Sequence, residues 1–84
     1  MSDIAANPEH KKYEIFVNGV RKTVEGDVVT YEEVVLLAFP NPGDKIYSVT
    51  FEKAEKPKEG ELLKGQSVLI KEGTEFDVEP TGRS

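Results

Sequence analysis

The fold is decided by the stretch Tyr13-Glu14-Ile15-Phe16-Val17-Asn18-Gly19-Val20-Arg21-Lys22-Thr23-Val24-Glu25. Side chains of opposite character alternate on both sides of the central Asn-Gly pair, which is the pattern of half-buried strands. Asn-Gly supplies the two positive φ angles that a type I′ turn requires between antiparallel strands. The stretch therefore predicts a β-hairpin over about residues 12–25, and the polar residues 1–11 before it predict a flexible leader.

A change of hydrophobic period marks the segment after the hairpin. In Thr30-Tyr31-Glu32-Glu33, the threonine and the glutamate three residues later match the capping box of a helix start. Tyr31, Val34, Val35 and Ala38 then follow the i, i+3, i+4, i+7 spacing of one helical face. The pattern predicts a helix over about residues 31–39, which the prolines that follow would end.

The second half of the chain contains three further segments with strand patterns or turn signals. Alternation predicts strands over residues 45–52, 67–71 and 75–79. The sequence Leu62-Leu63-Lys64-Gly65 predicts one helical or 3₁₀ turn at the end of the core. Pro80 would end the last strand because it has no N–H to donate.

The order of the predicted elements is hairpin, helix, strand, turn, strand and final strand. A hairpin followed by a helix that lies across a mixed sheet is the β-grasp arrangement, in which the first and last strands pair in the centre. We therefore expect an α+β fold with a mixed four- to five-stranded sheet and one helix packed across one face. The predicted domain covers residues 12–80, and residues 81–84 form an exposed tail.

Composition limits the functions that the chain can have. Its 84 residues allow one domain, and the absence of cysteine excludes disulfides and thiolate chemistry. One histidine cannot build a multi-histidine metal cage, so we predict no metal and no cofactor. With no nucleophile–base constellation in the sequence, we do not expect an enzyme.

Charge and hydropathy limit the partners and the location. Sixteen acidic residues against eleven basic ones give a net charge of −5, which argues against nucleic acid and against anionic membrane surfaces. The longest apolar run, residues 34–39, is too short to span a bilayer, and the start lacks the features of a secretory signal. We expect a cytoplasmic monomer that binds other proteins.

Short motifs follow one another along most of the chain. They are YEIFVNG (13–19), TYEEVV (30–35), LAF (37–39), YSVTF (47–51), GEL (60–62), GQSV (65–68), GTEFDV (73–78) and TGRS (81–84). In their order and spacing they resemble the bacterial multiubiquitin domain family of ubiquitin-like proteins. The resemblance covers the chain from about Tyr13 to its end.

The resemblance implies a ubiquitin-like protein modifier in a bacterial ubiquitination-like pathway. It implies three kinds of partner, namely activating-enzyme-like, conjugating-enzyme-like and processing-protease-like proteins. The first would adenylate the C-terminal carboxylate, and the acyl group would then pass through an enzyme nucleophile to a target.

The resemblance also implies a conjugation tail formed by Thr81, Gly82, Arg83 and Ser84. Gly82 would allow close backbone approach, and Arg83 would contact acidic groups of the enzyme. The chain departs from ubiquitin in lacking a terminal Gly-Gly, which argues against a sulfur-carrier role. Whether Ser84 is the mature end stays open.

Two apolar residues, Phe16 and Ile46, are predicted on strand faces that point away from the helix. A sheet covered by a helix on one side leaves its other side in water, so we predict these residues as a partner-binding patch. The other interpretation is that loops or the leader cover them. The alternative function is accordingly a non-covalent protein-binding or assembly module that uses the exposed sheet face.

The acidic residues near the end of the chain are interpreted as a solvated surface. Glu75, Asp77 and Glu79 alternate with apolar residues, which places them on the outward face of the last strand. A basic enzyme surface could receive this face.

Overall fold

The computed structural model describes residues 12–81, which form seven strands and one helix. In chain order these are β1 (Lys12–Val17), β2 (Val20–Glu25), β3 (Val28–Thr30), α1 (Tyr31–Ala38), β4 (Tyr47–Glu52), β5 (Gly60–Leu62), β6 (Ser67–Leu69) and β7 (Glu75–Pro80). The predicted leader and the tail residues 82–84 lie outside the described residues.

Five strands form one mixed sheet in the order β2-β1-β7-β4-β5. The first and last strands, β1 and β7, are parallel neighbours in its centre, and the remaining pairs are antiparallel. Helix α1 packs across one face, in contact with β1, β4 and β7. This arrangement confirms the predicted α+β, β-grasp fold.

The structure confirms the turn signal of the hairpin and the capping box at the start of the helix. Asn18 and Gly19 have φ angles of 53° and 80°, as the turn requires. The Thr30 hydroxyl accepts from the Glu33 N–H at 3.1 Å, and the Glu33 carboxylate accepts from the Thr30 N–H at 2.9 Å. The helix ends at Ala38, one residue before the predicted end.

The predicted helical turn after the long loop is wrong. Residues Gly60–Leu62 form β5 instead, an edge strand whose Leu62 lies opposite Val49 of β4. Only residues 64–65 turn. Pairing with β4 of the main sheet fixes the extended conformation of these residues. The adjacent leucines in the sequence give no local sign of this pairing.

The predicted strand over residues 67–71 is shorter and pairs elsewhere. Strand β6 ends at Leu69 and forms a separate two-stranded sheet with β3, a strand that the sequence pattern did not predict. The backbone of β6 also bridges to Lys56. The main sheet therefore owes its fifth strand to β5 rather than to this segment.

The core lies between the main sheet and the helix. Its fully buried apolar side chains come from both layers, and they include Ile15, Val34, Val49, Phe76 and Val78. Among residues 12–81 the buried polar side chain is that of Thr74, whose hydroxyl accepts from the Lys71 N–H at 3.0 Å.

No helix in this part of the chain is long and apolar enough to cross a membrane.

Candidate functional site

The C-terminal end of β7 is where the described chain leaves the sheet. Pro80 lies opposite Tyr47 in the last pair of the β4–β7 ladder. One residue further, the Thr81 N–H donates to the Ile46 carbonyl at 3.0 Å. Thr81 of the predicted tail is thus held against the start of β4, while Gly82, Arg83 and Ser84 lie outside the described residues.

The side chain of Asn18 holds this end of β7. Its Nδ2 donates to the Val78 carbonyl at 3.0 Å, and its Oδ1 accepts from the Val78 N–H at 2.8 Å. Its backbone N–H donates to the Phe76 carbonyl at 2.9 Å. The turn residue therefore continues the β1–β7 pairing toward the tail.

Sequence analysis identified Asn18 as a turn residue and missed this second role. The side chain and its partner Val78 are 60 residues apart in the chain, so no local pattern could have shown their contact. The usable signal was the predicted pairing of first and last strands, which brings a hairpin turn next to the end of the last strand.

The sheet face opposite the helix is acidic. Side chains alternate along a strand, and Phe76 and Val78 of β7 are buried on the helix side. The residues that flank these two therefore point to the opposite face. Glu75, Asp77 and Glu79 lie on it along β7, as predicted, with Glu52 opposite Glu75 on β4.

Two basic side chains contact this acidic face. The Lys53 ammonium donates to the Glu75 carboxylate at 3.1 Å, and Arg21 lies 3.8 Å from the carboxylate of Glu14. The hydrogen bond from Lys53 lowers the pKa of Glu75 below its ordinary value, and a hydrogen bond with Glu52 adds to the effect. Glu75 is therefore a carboxylate at neutral pH.

Phe16 lies on the acidic face, away from the helix, as predicted. It is partly buried and sits opposite Glu75 in the β1–β7 pair. Together with Thr50, Asp77 and Gly60 it lines a hollow of about 600 Å³. Its binding of a partner stays a prediction.

Ile46 lies in a different place. Strand β4 begins at Tyr47, so Ile46 precedes the strand. It is half-exposed and lines a groove of about 630 Å³ between α1 and the β4–β5 pair. The structure therefore does not bring Phe16 and Ile46 together in one cavity, and binding by Ile46 also stays a prediction.

Tyr31 fixes the helix to the start of β4 beneath this groove. Its buried hydroxyl donates to the Tyr47 carbonyl at 3.0 Å and accepts from the Tyr47 N–H at 3.2 Å. The Tyr47 hydroxyl in turn donates to the Pro42 carbonyl at 3.2 Å.

Within residues 12–81, no group of three or more His, Cys, Asp or Glu side chains could hold a metal ion.

Comparison with known proteins adds one finding to this geometry. A family model described as multiubiquitin matches residues 13–82. The match extends from the first strand through β7 to the first two residues of the predicted tail. No curated protein and no solved structure matches the chain.

Proposed function

Because the chain belongs to the multiubiquitin family, we propose that it is a ubiquitin-like protein modifier. In this proposal a partner activating enzyme acts on its C-terminal carboxylate, and the chain is then conjugated to target proteins. The position of the last described strand supports the proposal. Strand β7 is the central strand of the sheet and ends at Pro80, and Thr81 is bonded to the backbone of Ile46, so the chain is held up to the start of the predicted tail.

The chemistry takes place at the C-terminal carboxylate. One carboxylate oxygen attacks the α-phosphorus of ATP, the bond to the β-phosphate breaks, and pyrophosphate leaves. A nucleophile on the enzyme then attacks the acyl carbon and AMP leaves. Finally a target amine or hydroxyl attacks the acyl carbon and gives up a proton, the bond to the enzyme nucleophile breaks, and that nucleophile leaves. Since the chain contains no cysteine, any thiolate that takes part in these reaction steps belongs to a partner protein.

The acidic sheet face supports association with partners of opposite charge. Glu75, Asp77 and Glu79 lie in one row along β7, the strand that leads into the tail. Complementary charge raises association rates and orients the two proteins as they meet. A basic surface of the activating enzyme next to its ATP site would therefore guide the tail toward the phosphate.

The test uses the activating-enzyme-like protein of the same organism, with ATP labelled at the α-phosphate. We expect the full chain to give an AMP-linked or acyl-linked species that intact-protein mass spectrometry detects. A variant that ends at Pro80 should give neither, while circular dichroism shows that it is folded. Equal labelling of the full and truncated chains would exclude the modifier function.

A second candidate function rests on the hollow at Phe16. A partly buried aromatic residue inside an acidic face is suited to non-covalent binding of a basic segment with an apolar side chain. Phe16→Ala should then weaken binding to the activating-like or conjugating-like protein in calorimetry, and Ile46→Ala tests the other predicted residue. If both variants bind as the unmodified chain does, neither residue forms a binding patch.

A further inference from the structure

Asn18 is followed by glycine, the sequence context in which an asparagine side chain reacts most readily with its own backbone. The chain contains three asparagines, and the other two, Asn7 and Asn41, each precede a proline. The nucleophile of this reaction is the backbone nitrogen of the following residue after loss of its proton, and proline has no N–H. Asn18 is therefore the asparagine of the sequence that has the nucleophile beside it.

The turn that holds Asn18 is open to solvent. Asn18 and Gly19 are both exposed, so water and hydroxide reach them. Glycine has no side chain to hinder approach to its nitrogen. A Cβ built on Gly19 would meet no atom within 4 Å, so no neighbouring residue fills the space that a side chain would take. Access to the Gly19 nitrogen is therefore not what limits the reaction.

The hydrogen bonds of the Asn18 side chain oppose the reaction. Its Nδ2 donates to the Val78 carbonyl at 3.0 Å, and its Oδ1 accepts from the Val78 N–H at 2.8 Å. Cyclisation requires the amide carbon, Cγ, to turn toward the Gly19 nitrogen, and this rotation breaks both bonds. Because Val78 belongs to β7, the reactivity of Asn18 depends on whether this part of β7 is closed or locally open.

We propose that Asn18 is a deamidation site, which pairing with Val78 protects and local opening of β7 exposes. In the open state, base removes the proton of the Gly19 N–H, and the nitrogen attacks Cγ of Asn18. The Cγ–Nδ2 bond breaks, and Nδ2 takes a proton from water and leaves as ammonia. Water then opens the resulting cyclic imide at either of its carbonyls, which gives aspartate or isoaspartate at this position.

The product loses the contact that protected the asparagine. In aspartate, a carboxylate oxygen replaces the Nδ2 donor and faces the Val78 carbonyl, so two acceptors meet with no proton between them. In isoaspartate, the backbone of the turn also gains one methylene group. Deamidation of Asn18 therefore favours the open state of β7 at Val78, and the change does not reverse spontaneously.

The first test measures deamidation of the full chain over time by mass spectrometry of its peptides, in buffer and in guanidinium chloride that unfolds it. We expect Asn18 in the folded chain to react at least about tenfold more slowly than in the unfolded chain, because folding holds its two hydrogen bonds closed. The peptide that contains Asn41 is the internal control and should stay unchanged in both solutions.

A pair of variants tests whether local opening exposes Asn18. Val78→Ala weakens the packing of β7, and Val29→Ala is the matched control, because both valines are buried and Val29 lies in the other sheet. The rate in buffer is corrected for the globally unfolded fraction, which denaturation by guanidinium chloride gives. We expect the corrected rate in Val78→Ala to exceed that in Val29→Ala by at least about threefold.

A third measurement tests the consequence of the modification. The aspartate product is purified, and hydrogen exchange of its Val78 amide is followed by NMR. We expect this amide to exchange at least about tenfold faster than in the unmodified chain, because it has lost part of its pairing.

Four outcomes overturn the inference. Absence of conversion in guanidinium chloride would exclude the site, and equal rates in buffer and in guanidinium chloride would exclude protection by the fold. Equal corrected rates in the two variants would show that only global unfolding exposes Asn18. Unchanged exchange at Val78 in the aspartate product would show that deamidation does not open β7.

Discussion

Asn18 combines two roles that usually belong to different residues. Its φ of 53° is the left-handed conformation that asparagine tolerates better than most residues. Its side-chain amide pairs with both backbone groups of Val78, as a neighbouring strand would. The residue thereby joins the hairpin turn to β7, the last described strand.

We expect Asn18→Gly to lower the free energy of unfolding by about 1–3 kcal/mol. Glycine keeps the positive φ without strain, so the loss comes from the two hydrogen bonds to Val78 together with the greater conformational entropy of glycine in the unfolded chain. Urea denaturation gives the value. Asn18→Asp is the comparison variant: it keeps an acceptor for the Val78 N–H but sets a carboxylate oxygen against the Val78 carbonyl, so it should also be less stable than the unmodified chain. An Asn18→Gly variant as stable as the unmodified chain would show that the contact does not stabilise the fold.

The lowered pKa of Glu75 depends on its contact with Lys53, and this dependence can be tested. Lys53→Met removes the hydrogen bond that is the largest cause of the lowered Glu75 pKa, so that pKa should rise. A carboxyl with a lowered folded pKa stabilises the fold above its unfolded pKa, and this stabilisation is lost as the pH falls through the folded pKa. The variant should therefore lose less stability in acid than the unmodified chain.

An NMR titration of the Glu75 side chain measures the shift, with Lys64→Met as the control at a distance from Glu75. Both members of the pair are largely exposed, with side-chain exposures of 63% and 40%, so the effect on stability is small. An unchanged Glu75 pKa in Lys53→Met would contradict the assignment.

Within α1, two neighbouring apolar residues differ in burial and should differ in their effect on stability. Val34 is fully buried against the sheet, and Leu36 is half-exposed in the groove. We expect Val34→Ala to lower the free energy of unfolding by about 2 kcal/mol, from lost transfer free energy and the cavity it leaves. Leu36→Ala should change it by less than about 0.5 kcal/mol. Urea denaturation of both variants checks this, and equal losses would show that Leu36 belongs to the core.

The elements that the sequence predicts well are those with a complete local signal. The Asn-Gly turn and the Thr30–Glu33 capping box each specify a backbone conformation by contacts within four residues. The three-residue strands β3 and β5 have no such signal, because their extended conformation comes from pairing with distant partners. Local patterns therefore found the hairpin, the helix and the last strand, and missed how the short strands join them.

The same reasoning explains which parts of the site were predicted. Phe16 lies within a strand whose alternation fixes its face, so its position followed from the pattern. Ile46 lies just before β4, where alternation no longer determines direction. The groove depends on Leu36 and Leu63 coming together across the fold, which only the tertiary structure shows.

At the scale of the whole molecule, the two faces of the sheet differ in chemistry, and the central strand β7 shows the difference. Strand β7 carries acidic residues on its open side and buries Phe76 and Val78 on the other. The apolar groove lies on the helix side, next to the start of β4. The described residues thus present two surfaces of different chemistry on opposite sides of the same central strand.

The last prediction separates folding from activation by the length of the chain. Residues 12–80 supply all described strands, and Thr81 adds one backbone hydrogen bond to Ile46. A chain that ends at Thr81 should therefore unfold within about 2 °C of the full chain, because it keeps these contacts. A chain that ends at Val78 loses the pairs of Glu79 and Pro80 with β4, and its Tm should fall by about 4–8 °C for each kcal/mol lost.

Differential scanning calorimetry measures both changes, and the labelled-ATP assay is run on the same samples. We expect the chain that ends at Thr81 to fold as the full chain does and to form no acyl-linked species on the activating enzyme. That combination assigns the tail to the reaction and the sheet to its support. A large fall in Tm on removing residues 82–84 would instead show that the tail stabilises the fold, and loss of activity could then no longer be attributed to the missing carboxyl end.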